Sequence, residues 1–438
     1  MKKISIQFTV LFVLTFLLVN AQTFEPIGPG NYTSTSNCII ADGNEIYANN
    51  IFINGADIFT FGRLSSGNWN KMGDWGTVVG INCATKIGDD IYVGGHFVDA
   101  AGNANMDKIA RWNITTGTWH ALGGGLNDFV MQIIPMGNDI IVAGKFTDAG
   151  GNANADYIAK WDGTSWSAIG AQVISSNSFT VVSSLAVNNN ELYVGGNFYA
   201  SNGGATDYLA KWNGTAFESI PGWNQTGAVY EIVFDQNNQM YIGGEFPAKI
   251  AKYNGTSWDF MGNFSSNGTS WISDIKLVGS TIYAGGKFTD VNGIANADNI
   301  IKYNGSAWEA VGSGLNDEVY EMDFLGNDLY VAGKFTDAGG NTAADKLVKI
   351  SLNESTSLNK LSVESNFHVF PNPSDGIFNI ETKSNGVFEL LDATGTIIET
   401  CWVNDFRKTF SIHLPAGMYF LRDLQSGTTK KLIVKSQY

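Results

Sequence analysis

Cysteine, histidine, arginine and proline are all scarce in this chain. Three cysteines, Cys38, Cys83 and Cys401, are too few for a disulfide framework in 438 residues. Only His96 and His120 precede residue 353, as do only Arg63 and Arg111. That excludes any centre needing several imidazoles or a cluster of guanidinium groups. Basic residues are outnumbered overall, with a formal charge of −15, which argues against nucleic acid or anionic lipid as a partner. The excess is local: Gln22 to Leu352 carries 32 acidic and 16 basic residues, whereas the remainder is near neutral. Long apolar runs are missing after the first two dozen residues. What is abundant is glycine (51 residues) and aromatic side chains (13%), with 8 prolines. This is the composition of a turn-rich all-β protein, not of a disordered one.

The first residues read as a secretory leader. Lys2 and Lys3 form a positive start, Ile4 to Val19 is uncharged and apolar, and Val19-Asn20-Ala21 places small residues at −3 and −1. The stretch is short for a membrane span. Residue +1 is Gln22 and not cysteine, so no lipid anchor is expected. The expected divisions are a signal peptide over 1–21, a repeat domain over 22–352, a polar linker over 353–366 and a C-terminal module over 367–438.

One phrase recurs seven times in the repeat domain. It runs E-I-Y-A-N-N-I-F from Glu45, D-I-Y-V-G-G-H-F from Asp90 and D-I-I-V-A-G-K-F from Asp139. It returns as E-L-Y-V-G-G-N-F from Glu191, Q-M-Y-I-G-G-E-F from Gln239, T-I-Y-A-G-G-K-F from Thr281 and D-L-Y-V-A-G-K-F from Asp328. The third residues (Tyr47, Tyr92, Ile141, Tyr193, Tyr241, Tyr283, Tyr330) lie 45, 49, 52, 48, 42 and 47 apart. These are propeller-blade lengths. Each repeat reads as four short strands bounded by Gly/Asn/Asp turns. The second glycine of the pair, inside a strand, predicts a bulge or a close backbone approach. Asn50 stands there in the first repeat, and asparagine tolerates positive φ. The phenylalanine ending each phrase and the fourth-strand aromatic (Trp69, Trp119, Trp166, Phe217, Trp258, Trp308) predict plugs between neighbouring blades.

The seventh repeat ends after its third strand, Leu347-Val348-Lys349-Ile350. The missing phrase stands near the start of the chain, as Phe24-Glu25-Pro26-Ile27-Gly28. A repeat split between the two ends predicts a ring, which hides the sheet edges an open array would leave. The expected fold is therefore all-β, a seven-bladed β-propeller closed by the N-terminal strand. The glycine pair and the later aromatic resemble kelch-like repeats over about Thr23 to Leu352, a likeness that bears on fold more than on function.

The C-terminal module reads F-P-N-P-S-D-G-I-F-N-I from Phe370, V-F-E-L-L-D-A-T-G from Val387, L-P-A-G-M-Y-F-L-R from Leu414 and K-K-L-I-V-K from Lys430. Strands separated by Pro/Gly/Asp turns predict a small Ig-like β-sandwich. The order of these motifs resembles the type A C-terminal sorting domain of the type IX (Por) secretion system. The residues carrying the likeness are Pro371, Asn372, Pro373, Gly376, Gly395, Gly417, Met418, Tyr419, Lys430 and Lys431. The resemblance implies export across an outer membrane, a partnership with the type IX machinery and a secreted or surface-attached product.

Chemistry is hard to find. No G-x-S-x-G, H-E-x-x-H or phosphate loop occurs, and His96 and His120 read as strand-surface residues. Cys38 and Cys83 hold equivalent first-strand positions and read as buried thiols, though a disulfide between them is not excluded by the pattern. Asp148, Asn152, Asn154 and Asp156 recur in kind at Asp99, Asn103, Asn105, Asp107 and at Asp290, Asn296, Asp298. Their spacing makes Ca²⁺ a candidate, and turn chemistry explains the same residues. The fifth repeat shortens its loop to Phe246-Pro247-Ala248-Lys249 beside long loops carrying Trp223, Phe264 and Trp271. This suggests a groove lined by Trp223, Asn224, Lys249 and Trp271, suited to sugar rings. The alternative is that these aromatics pack onto their own loops. Three functional classes follow: a monomeric binding protein for an extracellular glycan or protein, an extracellular polysaccharide lyase or hydrolase, and a structural spacer. No cofactor is called for beyond the Ca²⁺ candidate.

Overall fold

The computed structural model describes residues 22–352, except 29–31, 33, 44, 54–56, 74, 76–79, 171–173, 176–179, 201–206, 263 and 265–268. It also describes 367–435, except 373, 375–376, 383–385, 393–396, 404–406, 412–415 and 424–428. The leader over 1–21, the linker over 353–366 and Pro373, Gly376 and Gly395 lie outside the described residues. The chain divides into two compact units, Met1–Glu354 and Ser355–Tyr438.

The first unit is built from four-stranded antiparallel sheets, seven among the described residues. Sheets 1 to 6 are each local, running Ile39–Lys71, Ile81–His120, Val130–Ala168, Val181–Ser219, Val229–Phe260 and Trp271–Ala310. Sheet 7 takes three strands from the chain end, Val319–Leu325, Asp328–Gly333 and Leu347–Ser351. Its fourth is Thr23–Pro26, which pairs Thr23 with Ser351 and Pro26 with Val348. That strand is held from three sides. Lys349 pairs with Glu25 at 2.7 Å, Asn341 donates to the Phe24 carbonyl at 2.9 Å, and the Phe24 ring is buried against Gly312 and Gly339.

The glycine pair explains how the sheets fit together. In five ladders the register between first and second strand slips by one residue just ahead of the second glycine, and in sheet 3 ahead of Gly144. At Gly286 a Cβ would stand 2.2 Å from the Trp271 carbonyl oxygen across the bulge, a distance no side chain can occupy. Gly95, Gly144, Gly196, Gly244 and Gly333 face the equivalent carbonyl at 1.9 to 2.3 Å. Glycine is needed there for room. Asn50 is the exception, with φ 55 and its amide donating to the Thr35 carbonyl at 2.6 Å. The first glycine serves the next sheet: a Cβ on Gly285 would meet Val319 at 2.5 Å. Consecutive first strands thus lie against one another, and that of sheet 7 lies against that of sheet 1.

Aromatic side chains fill the outer gaps. Phe97, Phe146, Phe198, Phe246, Phe288 and Phe335 are all buried in clusters that join neighbouring sheets. The side chain of Phe52 lies outside the described residues. The fourth-strand tryptophans add a polar stitch: three indole N–H groups reach a carbonyl at the end of the preceding sheet, and that of Trp69 reaches the Tyr32 hydroxyl at 2.8 Å. Trp119 donates to Met72, Trp166 to Leu122 and Trp258 to Pro221, at 2.9 to 3.0 Å. Burying these rings with the N–H satisfied is what makes tryptophan suitable there.

In the second unit a three-stranded sheet (Phe367–Phe370, Ile377–Thr382, Arg407–Ser411) and a four-stranded one (Gly386–Leu391, Ile397–Val403, Gly417–Asp423, Thr429–Val434) enclose Phe367, Phe378, Phe388, Tyr419 and Leu421.

Candidate functional site in the central cavity

The bulges of the first strands place extra side chains on the inner wall. Where the register slips, both the extra residue and its successor line one cavity: Asn82 and Cys83, Met131 and Gln132, Tyr230 and Glu231, Ser273 and Asp274, Tyr320 and Glu321. Re-aiming side chains is a known consequence of a bulge. The cavity is about 480 Å³, with Asn37 and Ser183 supplying the walls of sheets 1 and 4. Trp271 and Glu318, two residues ahead of the bulges, line it as well. Lys276 and Glu321 line it too, and both also line a second cavity of about 440 Å³ farther along the same strands.

Charge inside is uneven. Asp274, which is buried, pairs with Lys276 at 2.9 Å and accepts the Met322 N–H at 2.6 Å. Glu321 accepts the Ile39 N–H at 3.1 Å, and Asp323 that of Ala41 at 2.7 Å. Gln132 accepts the Leu185 N–H. These polar side chains therefore latch the first strands of sheets 3, 6 and 7 to those of sheets 4, 7 and 1. Burial, reinforced by Asp274, pushes the Glu231 carboxyl up to about 8 against the pull of Lys276. Burial likewise drives Glu321 well above the usual carboxylate range. Desolvation opposes the charge on Lys276, yet Asp274, Glu231, Glu321 and Asp323 together hold it above the usual ammonium range. Tyr320 and Trp271 donate to Glu318, whose carboxyl burial raises. Tyr230 donates to Glu245 at 3.0 Å. The Lys287 ammonium sits 5.1 Å from the centre of the Trp271 ring.

The residues singled out from sequence are spread over several places. Trp271 lines the cavity. Trp223 instead packs edge-on to Phe246 at 5.3 Å and against Trp258 at 4.9 Å, with its indole nitrogen buried and unpaired. Asn224 is exposed and accepts from Gln225, and Lys249 donates to the Glu245 carbonyl at 2.8 Å. Phe264 is buried against Phe288 and Trp308. In the 148–156 loop, Asp156 accepts the Asp148 N–H at 2.8 Å and Asn152 accepts the Asn154 N–H at 3.1 Å. The same closure recurs from Asp107 to Asp99 and from Asp298 to Asp290. No group of three or more His, Cys, Asp or Glu side chains able to hold a metal occurs among the described residues. Arg63 pairs with Glu45, and Arg111 with Asp90 at 3.1 Å. His96 is exposed beside Phe129, and His120 touches Thr118 at 3.0 Å. Cys38 and Cys83 are buried free thiols.

Sequence reasoning passed over the acidic wall. Its signal was present: counting nine or ten residues back from each anchor gives Cys38, Cys83, Gln132, Ser184, Glu231, Asp274 and Glu321. Three carboxylates at one inward position of three consecutive repeats is a pattern that alignment by anchor exposes.

In the second unit, Asn372 explains why its motif needs an amide. It donates to the Lys431 carbonyl at 2.6 Å and accepts the Ile433 N–H at 2.9 Å, tying the segment after Phe370 to the last strand. Ser374 continues that contact with Ile433 and Lys435. Pro371 follows a cis peptide bond. Gly417 pairs with Val434, Tyr419 is buried in the core, Lys430 lies 5.3 Å from the Phe367 ring centre, and Lys431 pairs with Phe420.

The solved structures similar to this chain are β-propeller-like. One is the extracellular domain of BT4673 from B. thetaiotaomicron, at TM-score 0.56 and 13% identity over 94% of this chain. Another structure of the BT4673 extracellular domain gives 0.51 and 12% over 95%. The chain spans 52% and 59% of those two structures. PorZ of Porphyromonas gingivalis, a surface component of the type IX secretion system, is similar at TM-score 0.47 and 13% identity, covering 93% of this chain and 60% of PorZ. No curated protein matches. Among the described residues no helix is long and apolar enough to cross a membrane. Residues 368–435 match the secretion system C-terminal sorting domain family, and that domain indicates secretion by the type IX system to the cell surface or the extracellular space.

Proposed function

We propose that this protein is an exported binding protein, a seven-bladed propeller sealed by its N-terminal strand, that takes an extracellular ligand into its central cavity. The observation that carries the reading is the cavity wall. A spacer needs only a packed channel, whereas this one keeps about 480 Å³ open and lines it with Trp271, Tyr230, Tyr320 and several carboxylates. Concave sites with a few convergent polar groups are where ligands bind. The ring reading is supported by the unbroken succession of first strands and by the pairing of Thr23–Pro26 with the last sheet. Sorting to the exterior supports a leader at 1–21 and a partner outside the cell.

The test is binding of the full chain to arrays of glycans and peptides, beside Trp271→Ala and Trp223→Ala variants. Ligands lost with Trp271 and kept with Trp223 support the cavity. Loss with Trp223 alone moves the site to the groove of the fifth repeat. A second reading, an extracellular hydrolase or lyase, is favoured by one observation: Glu231 is held protonated to about 8 near Asp274, as a general acid would be. Cleaved product from any bound polysaccharide, lost in Glu231→Gln, would establish it.

A further inference from the structure

We infer that the cavity takes a ligand presenting an ammonium group, and that the Glu231 carboxylate receives it; this rests on the cavity being the binding site. The inference begins with the inward position that recurs in each sheet. Gln132, Asp274 and Glu321 each accept an N–H from the next first strand, from Leu185, Met322 and Ile39. Glu231 holds the same position and lines the cavity, but its carboxyl accepts no hydrogen bond among the described residues. It is an inward-facing polar group with no partner of its own.

The surrounding charges do not supply one. From sheet 6, Asp274 and Lys276 face it, and Lys276 is already paired with Asp274 at 2.9 Å. Beyond Lys276 stand Glu321 and Asp323 of sheet 7, both bonded to sheet 1. From sheet 4, the strand Val181–Asn188 carries no titratable side chain, and Glu191 of the next strand is paired with Lys211 at 3.0 Å. Its own partner strand, Met240–Gly244, brings only Tyr241, whose hydroxyl donates to Asp235. One lysine thus answers four carboxyl groups, and Glu231 is the one left over. A half-buried, desolvated carboxyl whose one nearby lysine is already paired favours its neutral form, in keeping with its rise to about 8 against the pull of Lys276.

An ammonium entering the cavity takes the place of that proton. The Glu231 O–H proton leaves to solvent, the carboxylate forms, and an ion pair with the ligand's ammonium replaces a neutral acid. The aromatic lining of Tyr230, Trp271 and Tyr320 suits the same chemistry, because indole and phenol faces attract cations. The Trp271 ring already has the Lys287 ammonium 5.1 Å from its centre. An anion entering would meet Glu231, Asp274, Glu318 and Glu321 against Lys276 and, beside Trp271 and Glu318, Lys287.

The probe is n-butylammonium, titrated into the full chain from pH 6 to 9, with N-acetylglucosamine as a neutral saccharide arm. Proton competition predicts affinity rising roughly tenfold per pH unit between about 6 and 8 and levelling above, with a proton released per ligand in buffers of different ionisation heat. Glu231→Gln, close in size, lowers affinity at least about tenfold at pH 8.5 and flattens the profile. The profile of the unmodified chain keeps the test independent of that variant's folding. A flat profile, or equal binding by Glu231→Gln, overturns the inference. N-acetylglucosamine binding that depends on Trp271, with no n-butylammonium binding, overturns the ammonium class and leaves the cavity standing. Binding of neither, with Trp271→Ala neutral toward every ligand on the arrays, overturns both.

Discussion

The cavity wall has two halves that share a backbone and differ in chemistry. At one inward position, sheets 1 to 4 carry Cys38, Cys83, Gln132 and Ser184, whereas sheets 5 to 7 carry Glu231, Asp274 and Glu321. The glycine pair shapes both halves alike, since a Cβ on Gly95 or Gly286 would stand 2.0 or 2.2 Å from the opposing carbonyl oxygen. The position is therefore free to vary once glycine has fixed the strand path. In sheet 1 even that device changes. Asn49 accepts from Ser36, Asn37 and Cys38 and donates to the Ile81 carbonyl at 3.1 Å, so a side-chain amide does the joining. The packing frame is repeated; the charge is confined to one side, which is where a ligand site is to be sought.

Breaking the acidic half should cost most. Asp274→Ala strands Lys276 among the remaining carboxyls and leaves the Met322 N–H unsatisfied. Removing one partner of a buried pair typically costs about 3–5 kcal/mol, read as a shift in the denaturant midpoint. The equivalent Cys83→Ala should cost only about 1 kcal/mol, the loss of one small apolar group. Equal losses would mean that the halves do not differ energetically. Next comes the shared frame. Gly286→Ala and Gly95→Ala should each cost about 3 kcal/mol, since the added methyl overlaps backbone that has to move. Agreement between the two would show that the glycine rule is blind to which half it serves.

Glu231→Gln should act in the opposite direction. The folded carboxyl titrates near 8 against 4.5 for the free group. Between those values the folded state holds a proton that the unfolded state has released, so stability falls as pH rises from about 4.5 to about 8 and is level above. Glutamine carries no such proton. The variant should match the parent near pH 4.5 and exceed it by on the order of 2 kcal/mol at pH 8, measured by urea unfolding at both values.

Sequence periodicity was a good guide to the sheets and a poor one to the site, for a physical reason. Strands, bulges and inter-sheet plugs follow from residue types with one dominant use, such as Gly286, Phe335 and Trp166. The strand at Thr23–Pro26 was legible because sheet 7 lacked a fourth aromatic strand. The acidic wall was not read off, because a glutamate alternating with apolar residues looks like any solvent-facing strand position. Only the packing of successive first strands turns that face into the cavity. Trp223 illustrates the converse: an aromatic in a long loop invites a binding role, and this one packs on Phe246 and Trp258. The basic residue facing the anchor on each third strand, such as Arg63 opposite Tyr47 or Lys211 opposite Tyr193, also went unread. It consumes both arginines of the first unit, Arg63 and Arg111, and much of its lysine in local pairs.

The smallest expected effect concerns the thiols of the uncharged half. Cys38 and Cys83 are buried, and burial, with Glu321 adding to it, drives both thiols well above their usual range. The thiolate is the reactive species, so a disulfide-exchange reagent at pH 8 should modify neither cysteine on the timescale that labels a free thiol in water. Unfolding in urea should bring both to the reactivity of an exposed cysteine. Where Glu321 has lost its proton its charge opposes the Cys83 thiolate from the acidic half, so Glu321→Gln should speed native labelling of Cys83 slightly at a pH high enough to ionise that carboxyl. A rate unchanged by that substitution would mean that burial alone protects the thiols, and that the two halves of the wall do not feel one another through the channel.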